Sequence, residues 1–528
     1  MRKISLVILA TLLLLTVFVS CSNDGIVDEA FTFTITFRDN DPLSDETEVQ
    51  KIGKGIPAVL SGNSLKKDGY ILVGWNTEAD GTGTSYSNGQ TVSFDSDVTL
   101  YATWAIALTG ETVTLEHEKT YSFDRNLTIK NRLIVEGDVT LLLPDGYTLT
   151  AEKGITVDEF NSMTIDAVGK GTGEVIAVVP YSYPTYFYAG IGGQDNHDSG
   201  LITINGGNVT VTYGGLFGAA IGGGKEGRGT VTINGGNVDV TYGGIYGAAI
   251  GGGDEADGTV TINGGNVDVK YCGTYGAAIG GGDDGFGTVT INGGRVSAIC
   301  NSSFGAAIGG GDYGFGIVEI HDGSVSAIVG KHAAAIGGGK GGDGEITIYG
   351  GNVTATSAMY GAAIGGGNGC NGTVTIHGGN VTAIAGMYGA AIGGGDDGNG
   401  TIIINGGTVS ATVSHETLSA GAGIGCGYGG SGGTVTINGG TVRSTVSKGL
   451  SAGIGGCFVG PGVDVTINGG KVLAIGGEYE AAGIGRGDGG ANDGTLVLGE
   501  GVALEVSSNG SDWSDYDGTT RKRYMRTI

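Results

Sequence analysis

The chain has 528 residues, 113 of them glycine and only 6 proline, and carries a formal net charge of −26. So acidic a surface repels nucleic-acid phosphates and excludes that class of partner. Glycine at this level means disorder when it is scattered, but here it falls on a fixed period, and a period must be read before any single residue.

Arg2 and Lys3 precede an apolar run from Ile4 to Val19, closed by Ser20 and Cys21. The pattern resembles a bacterial lipoprotein signal, with Phe18 standing where leucine is more usual; the alternative is an ordinary secretory signal. The resemblance implies that residues 1–20 are removed and that Cys21 is lipid-modified. The membrane is then a partner through the N-terminal lipid, and the protein sits in a bacterial cell envelope, surface-exposed or periplasm-facing. Residues 21–30 are small and polar and read as a tether. No later stretch is apolar enough to span a bilayer.

Residues 31–104 form a separate unit. Phe31 to Phe37 alternates apolar and polar, as a half-buried strand does. Gly69-Tyr70, Gly74-Trp75, Ala79-Asp80-Gly81-Thr82-Gly83 and Leu100-Tyr101-Ala102-Thr103-Trp104 follow. These features resemble the Listeria–Bacteroides repeat, the B-repeat of internalins, across the whole unit. The resemblance implies a small β-rich spacer or protein-contact module, with Trp75, Tyr101 and Trp104 as core aromatics.

Residues 105–185 hold short strands broken by Gly-Asp and Pro-Asp-Gly, and read as irregular first coils and an N-terminal cap. They resemble the entry coils of pectin-lyase-like β-helix surface proteins, many of them regarded as carbohydrate-binding.

From 186 to 498 one phrase repeats, and its marker isoleucine falls at Ile191, Ile221, Ile250, Ile279, Ile308, Ile336, Ile364, Ile392, Ile424, Ile454 and Ile484. The steps are 28–32 residues long. Each repeat holds three extended pieces, as in Val231-Thr-Ile, Val238-Asp-Val and Ala248-Ala-Ile, separated by Gly-Gly corners. The first two alternate and there is no helical period. One such unit cannot bury its own apolar edge, but stacked units bury a continuous column. The expected fold is therefore all-β: a parallel β-helix solenoid of about eleven coils plus caps, about 50 Å long at roughly 4.8 Å per coil. Asn205, Asn234, Asn263 and Asn292 recur after the first strand, with His321, Tyr349 and His377 replacing them farther on. They are expected to take the left-handed corner and to bond as an amide ladder.

Two columns carry candidate chemistry. Phe217, Tyr246, Tyr275, Phe304, Tyr360 and Tyr388 stand four residues before the marker, with Phe187 and His332 in the same column. They are either a stack sealing one corner, the favoured reading, or a flat platform for sugar rings. The loop after Gly-Gly-Gly is acidic, and weak calcium binding is expected at most at Asp283, Asp284, Asp396 and Asp397, with plain solvated turns favoured. No cofactor is called for. A further column of outward Thr needs no function.

Residues 499–528 read as a C-terminal cap and tail, with Trp513 as lid and the basic run after Arg521 as a solvated end. Cys272 with Cys300, and Cys426 with Cys457, lie one coil apart and are placed to bridge; with Cys370, inert buried thiols are the favoured reading. Catalytic β-helices interrupt their repeat with long loops and clustered acids and bases, whereas here the loops are even and the charges scattered. The sequence therefore points to a non-enzymatic envelope lipoprotein acting in adhesion or carbohydrate binding, its partner a glycan or a surface protein of a host or neighbour. A non-binding spacer or surface-layer protein is one alternative, and a polysaccharide lyase or glycosidase the other.

Overall fold

The structure is a computed structural model describing residues 32–528 except 63, 181–184, 302–303, 415–419, 459 and 491. The signal segment, Cys21 and the tether lie outside the described residues. Contacts divide the chain into two units, residues 1–65 with 75–102, and residues 66–74 with 103–528.

In the first unit, Thr32–Arg38 pairs antiparallel with Thr47–Gly53 and parallel with residues 98–101. Strand alternation turns Ile35 and Phe37 wholly inward, where Phe37 meets the buried Trp75 with ring centroids 4.5 Å apart. Tyr101 is only half-buried, because the same alternation gives the interior to Leu100 and Ala102. Trp104, in the second unit, is half-buried as well.

The second unit is a solenoid whose regular part makes about twelve three-strand turns between residues 148 and 498. Among the described residues there is no α-helix, and the one 3-10 turn covers Thr185–Phe187. One turn runs Gly229–Ile233, Asn237–Tyr242, Ile250–Gly251, and each strand pairs parallel with its counterpart one turn on. Register is strict: Val231 faces Val260, and Val260 faces Val289. Val231, Ile233, Val238, Val240 and Ile250 point inward with at most 1% exposure. Burying each such side chain contributes about 1.5–3 kcal/mol, repeated every turn. The third strand begins at the marker isoleucine rather than ending there, with the small Ala248 and Ala249 buried just before it.

Glycine is obligatory after the marker. Gly251 has φ 136°, and a methyl there would collide with the carbonyl oxygen of Gly280 in the next turn. At the Asn-Gly-Gly corner the left-handed residue is the second glycine, as at Gly207, Gly236 and Gly265 with φ 78–79°, and not the asparagine. The flexible residue takes the strained position and frees the asparagine for its ladder.

Near the entry, one turn in from the first, the Arg132 guanidinium ties successive turns together by bonding the carbonyls of Lys153 and Ala189 and the Thr156 hydroxyl. Burial pushes its pKa down to about 10. At the exit, the basic tail is not a solvated end. Tyr524–Thr527 forms an antiparallel strand against Lys471–Ile475 and puts Met525, wholly buried, over the last coil. Trp513 is half-buried beneath the Arg526 guanidinium, 4.0 Å from its ring, so Met525 is the lid.

Candidate ligand-binding surface

The aromatic column lies on the loop between the second and third strands. From Phe187 through Phe217, Tyr246, Tyr275, Phe304, His332, Tyr360 and Tyr388 the rings stack with centroids 4.9–5.4 Å apart and planes within 11°. Coil spacing alone sets this distance. Every ring is half-buried. Within the column each ring covers its neighbour's faces, so solvent meets edges. Where the column lapses to Ala420 and Leu450, Tyr428 meets Tyr388 edge-on at 5.5 Å and stacks on Phe458 at 5.9 Å, both from the loop position after the marker.

The acidic column is joined to this one through the backbone. The backbone N–H of Asp254 donates to Phe217, that of Asp283 to Tyr246 and that of Asp312 to Tyr275, each to a carbonyl. Lys225 and Lys340 occupy the same position one turn before and after these three. Two of these carboxyls are not on solvated turns, as the sequence suggested: Asp254 is 6% and Asp312 5% exposed, while Asp283 is half-buried. Burial, then the neighbouring Asp284 and Asp312, push Asp283 up to about 7. Burial raises Asp254 and Asp396 to about 6, and raises Asp312 as well. One oxygen of Asp312 and one of Asp396 are buried without a hydrogen-bond partner. Asp284 and Asp397 instead sit exposed at the turn tips with φ 55° and 59°. The four expected calcium residues thus form two separate pairs four turns apart, each divided between an inner and an outer carboxyl. Among the described residues no group of three or more His, Cys, Asp or Glu is placed to hold a metal ion.

A second aromatic column, which sequence reading passed over, is more open. Tyr213, Tyr242 and Tyr271 close the second strand in three successive turns and are 51%, 39% and 46% exposed. Their rings stack at 4.9 and 5.0 Å. Across from them stand Leu216, Ile245 and Thr274, and the groove between encloses about 410 Å³. Its floor is glycine because the turns touch there: a methyl at Gly273 would collide with the Gly244 carbonyl. The column ends at the next turn, where Cys300 takes the tyrosine's place, points inward and is bridged to Cys272. That bridge corrects the inert-thiol reading for this pair, whereas Cys426, Cys457 and Cys370 are free. The signal was present in the sequence as Val-Thr-Tyr-Gly-Gly, twice, and Val-Lys-Tyr-Cys-Gly.

The Listeria–Bacteroides repeat domain model matches residues 33–103, and the Beta helix repeat model matches ten successive segments between 202 and 485. The chain is a β-helix repeat protein with a Listeria–Bacteroides repeat domain before the solenoid. Eight of the ten matched repeat segments end at the turn position of Lys225, Asp254 and Asp283. The acidic turn therefore closes the β-helix repeat unit, and the aromatic column lies within it. Two curated relatives come from Evansella cellulosilytica. One, named "Putative Gly-rich membrane protein", is 51% identical over 45 residues, 8% of this chain and 5% of the relative. The other, named "Putative membrane protein", is 44% identical over 48 residues, 9% of this chain and 7% of the relative. The chain thus spans only a small part of the length of either. No solved structure matches it. No helix among the described residues is long and apolar enough to cross a membrane.

The amide ladder of the β-helix repeat is formed as the spacing predicts. Asn234 donates to Asn205, Asn263 to Asn234 and Asn292 to Asn263 through side-chain amides at 2.7–2.8 Å. Where it is interrupted, His321, Tyr349 and His377 stack instead, at 4.5 and 5.0 Å.

Proposed function

We propose that this β-helix repeat protein is an envelope lipoprotein, anchored through Cys21, that binds carbohydrate in adhesion. The observation that carries the reading is the groove beside Tyr213, Tyr242 and Tyr271. It combines exposed aromatic edges, an apolar opposing wall and a few polar groups, the composition of small-ligand sites generally. Among the described residues its lining has no carboxylate, histidine, lysine or arginine to serve as acid, base or nucleophile, which supports binding without cleavage. The names of the two relatives accord with an envelope location. A glycan array probed with the intact chain and with Tyr242→Ala tests the reading. Signals that depend on Tyr242 are expected, and an array blank for the wild type would favour the spacer alternative. Release of reducing or unsaturated sugars from a bound polysaccharide would favour the enzyme alternative.

A further inference from the structure

We infer that the groove takes an uncharged polysaccharide segment lying along the solenoid axis over three turns, and that it discriminates against uronate-rich or otherwise acidic glycans. This rests on the carbohydrate-binding reading and names its ligand class.

Length comes first. The tyrosine column has three members, and on the entry side a separate hollow of about 470 Å³, lined by Val178, Val179, Pro180 and Tyr186 and carrying no further ring of the column, adjoins it at Tyr213 and Leu216. On the entry side Val179, only 5% exposed, holds the corresponding place. On the exit side Cys300 is turned wholly inward and tied to Cys272. A ligand matching repeats of 4.9 and 5.0 Å must itself be extended along the axis.

Charge follows. The chain carries −26, and among the described residues the groove lining holds no cation to offset it for an anionic ligand. The nearby Lys270 is already committed to Asp239, at 2.6 Å. A polyanion would enter a negative field with no pairing partner, whereas a neutral chain meets no such cost. The hydroxyls of Tyr213, Tyr242 and Tyr271 reach solvent and serve as donors and acceptors for sugar hydroxyls. Leu216 and Ile245 offer apolar surface to pyranose C–H faces. The opposing wall becomes polar at Thr274, with Asn301 at the same end, so the groove has a direction along the axis.

The test is calorimetric titration of the intact chain with a neutral polysaccharide, a β-glucan, and with polygalacturonate of similar length, at low and high salt. The expected result is binding of the neutral chain that changes less than twofold with salt. It should weaken at least tenfold in Tyr242→Ala, while polygalacturonate is bound at least tenfold more weakly than the β-glucan at low salt. Tyr242→Phe with Tyr271→Phe keeps both rings and removes two hydroxyls, so its weakened binding with unchanged melting separates ligand contact from folding. Tighter, Tyr242-dependent binding of polygalacturonate would overturn the neutral class and leave carbohydrate binding standing. Neutral binding indifferent to both variants would overturn the groove as its site. Absence of binding to either polymer would overturn the neutral-polysaccharide class while Tyr242-dependent array signals persist, and with a blank array would overturn both readings.

Discussion

Asp283 is held in a place where charging it is costly, and that cost is measurable. Its carboxyl sits between Asp254 and Asp312 in adjacent turns, and its pKa is raised from 3.8 to about 7, by burial first and neighbouring carboxylates second. The folded state therefore holds a proton that the unfolded chain, with an ordinary aspartate pKa of about 3.9, releases much earlier. Below about pH 4 both states are protonated and the residue is neutral in the balance. As pH rises from there toward 7, folding takes up a proton, so stability falls across that window and levels off above it. A rise of that size, taken in full, corresponds to about 4 kcal/mol. The carboxyl keeps partial solvent access, and screening reduces this to about 1–2 kcal/mol. Asp283→Asn retains the shape and cannot charge. Its melting temperature should match wild type near pH 4 and exceed it by a few degrees near pH 8. A variant whose melting follows pH just as wild type does, or that is less stable than wild type near pH 8, would refute the reasoning.

Replacing Tyr246 and Tyr275 by Phe should leave melting nearly unchanged, since the stack uses the rings. Replacing both by Ala should cost roughly 1.5–3 kcal/mol each, below the 3–5 kcal/mol of a fully buried aromatic because these are half-buried. Unchanged melting with lost glycan binding would make that column the contact surface instead. Met525→Ala should cost about 2–4 kcal/mol, with faster amide exchange in Lys471–Ile475 and none added in Gly229–Ile233, because solenoid turns depend on their neighbours; acceleration spread evenly along the rod would count against a local lid. Cys21→Ala should move the protein from the membrane to the soluble fraction of cells, and continued sedimentation with membranes would exclude that residue as the anchor.

The stacked architecture was readable because the same inward positions recur: Val231, Ile233 and Ile250 are restated in every turn. The amide ladder was readable for the same reason. What escaped were effects that depend on which neighbour lies above and below. Asp283 and Asp284 are adjacent and identical in sequence, yet one is half-buried with its backbone bonded to the Tyr246 carbonyl and the other sits exposed at a turn tip with positive φ. Tyr213, Tyr242 and Tyr271 recur only three times, too few to stand out beside an eight-member column. Met525 was hidden within a basic run, whose charges mask the strand alternation that turns one apolar residue inward.

The interruption of the amide ladder bears on how the chain finds its register. Turns with Thr-Val-Thr-Ile-Asn-Gly-Gly are nearly interchangeable, so during folding one could settle a whole turn away with little immediate loss. The 321–377 block is different, because its rings stack on one another and at its exit border the Asn405 amide meets the His377 ring nitrogen, at 3.3 Å. An asparagine offers no ring to stack, so a turn skipped or displaced within the block loses contacts that the flanking turns cannot replace. His321, Tyr349 and His377 thus act as an index mark in this stretch of the thread, distinguishing correct winding from slipped winding.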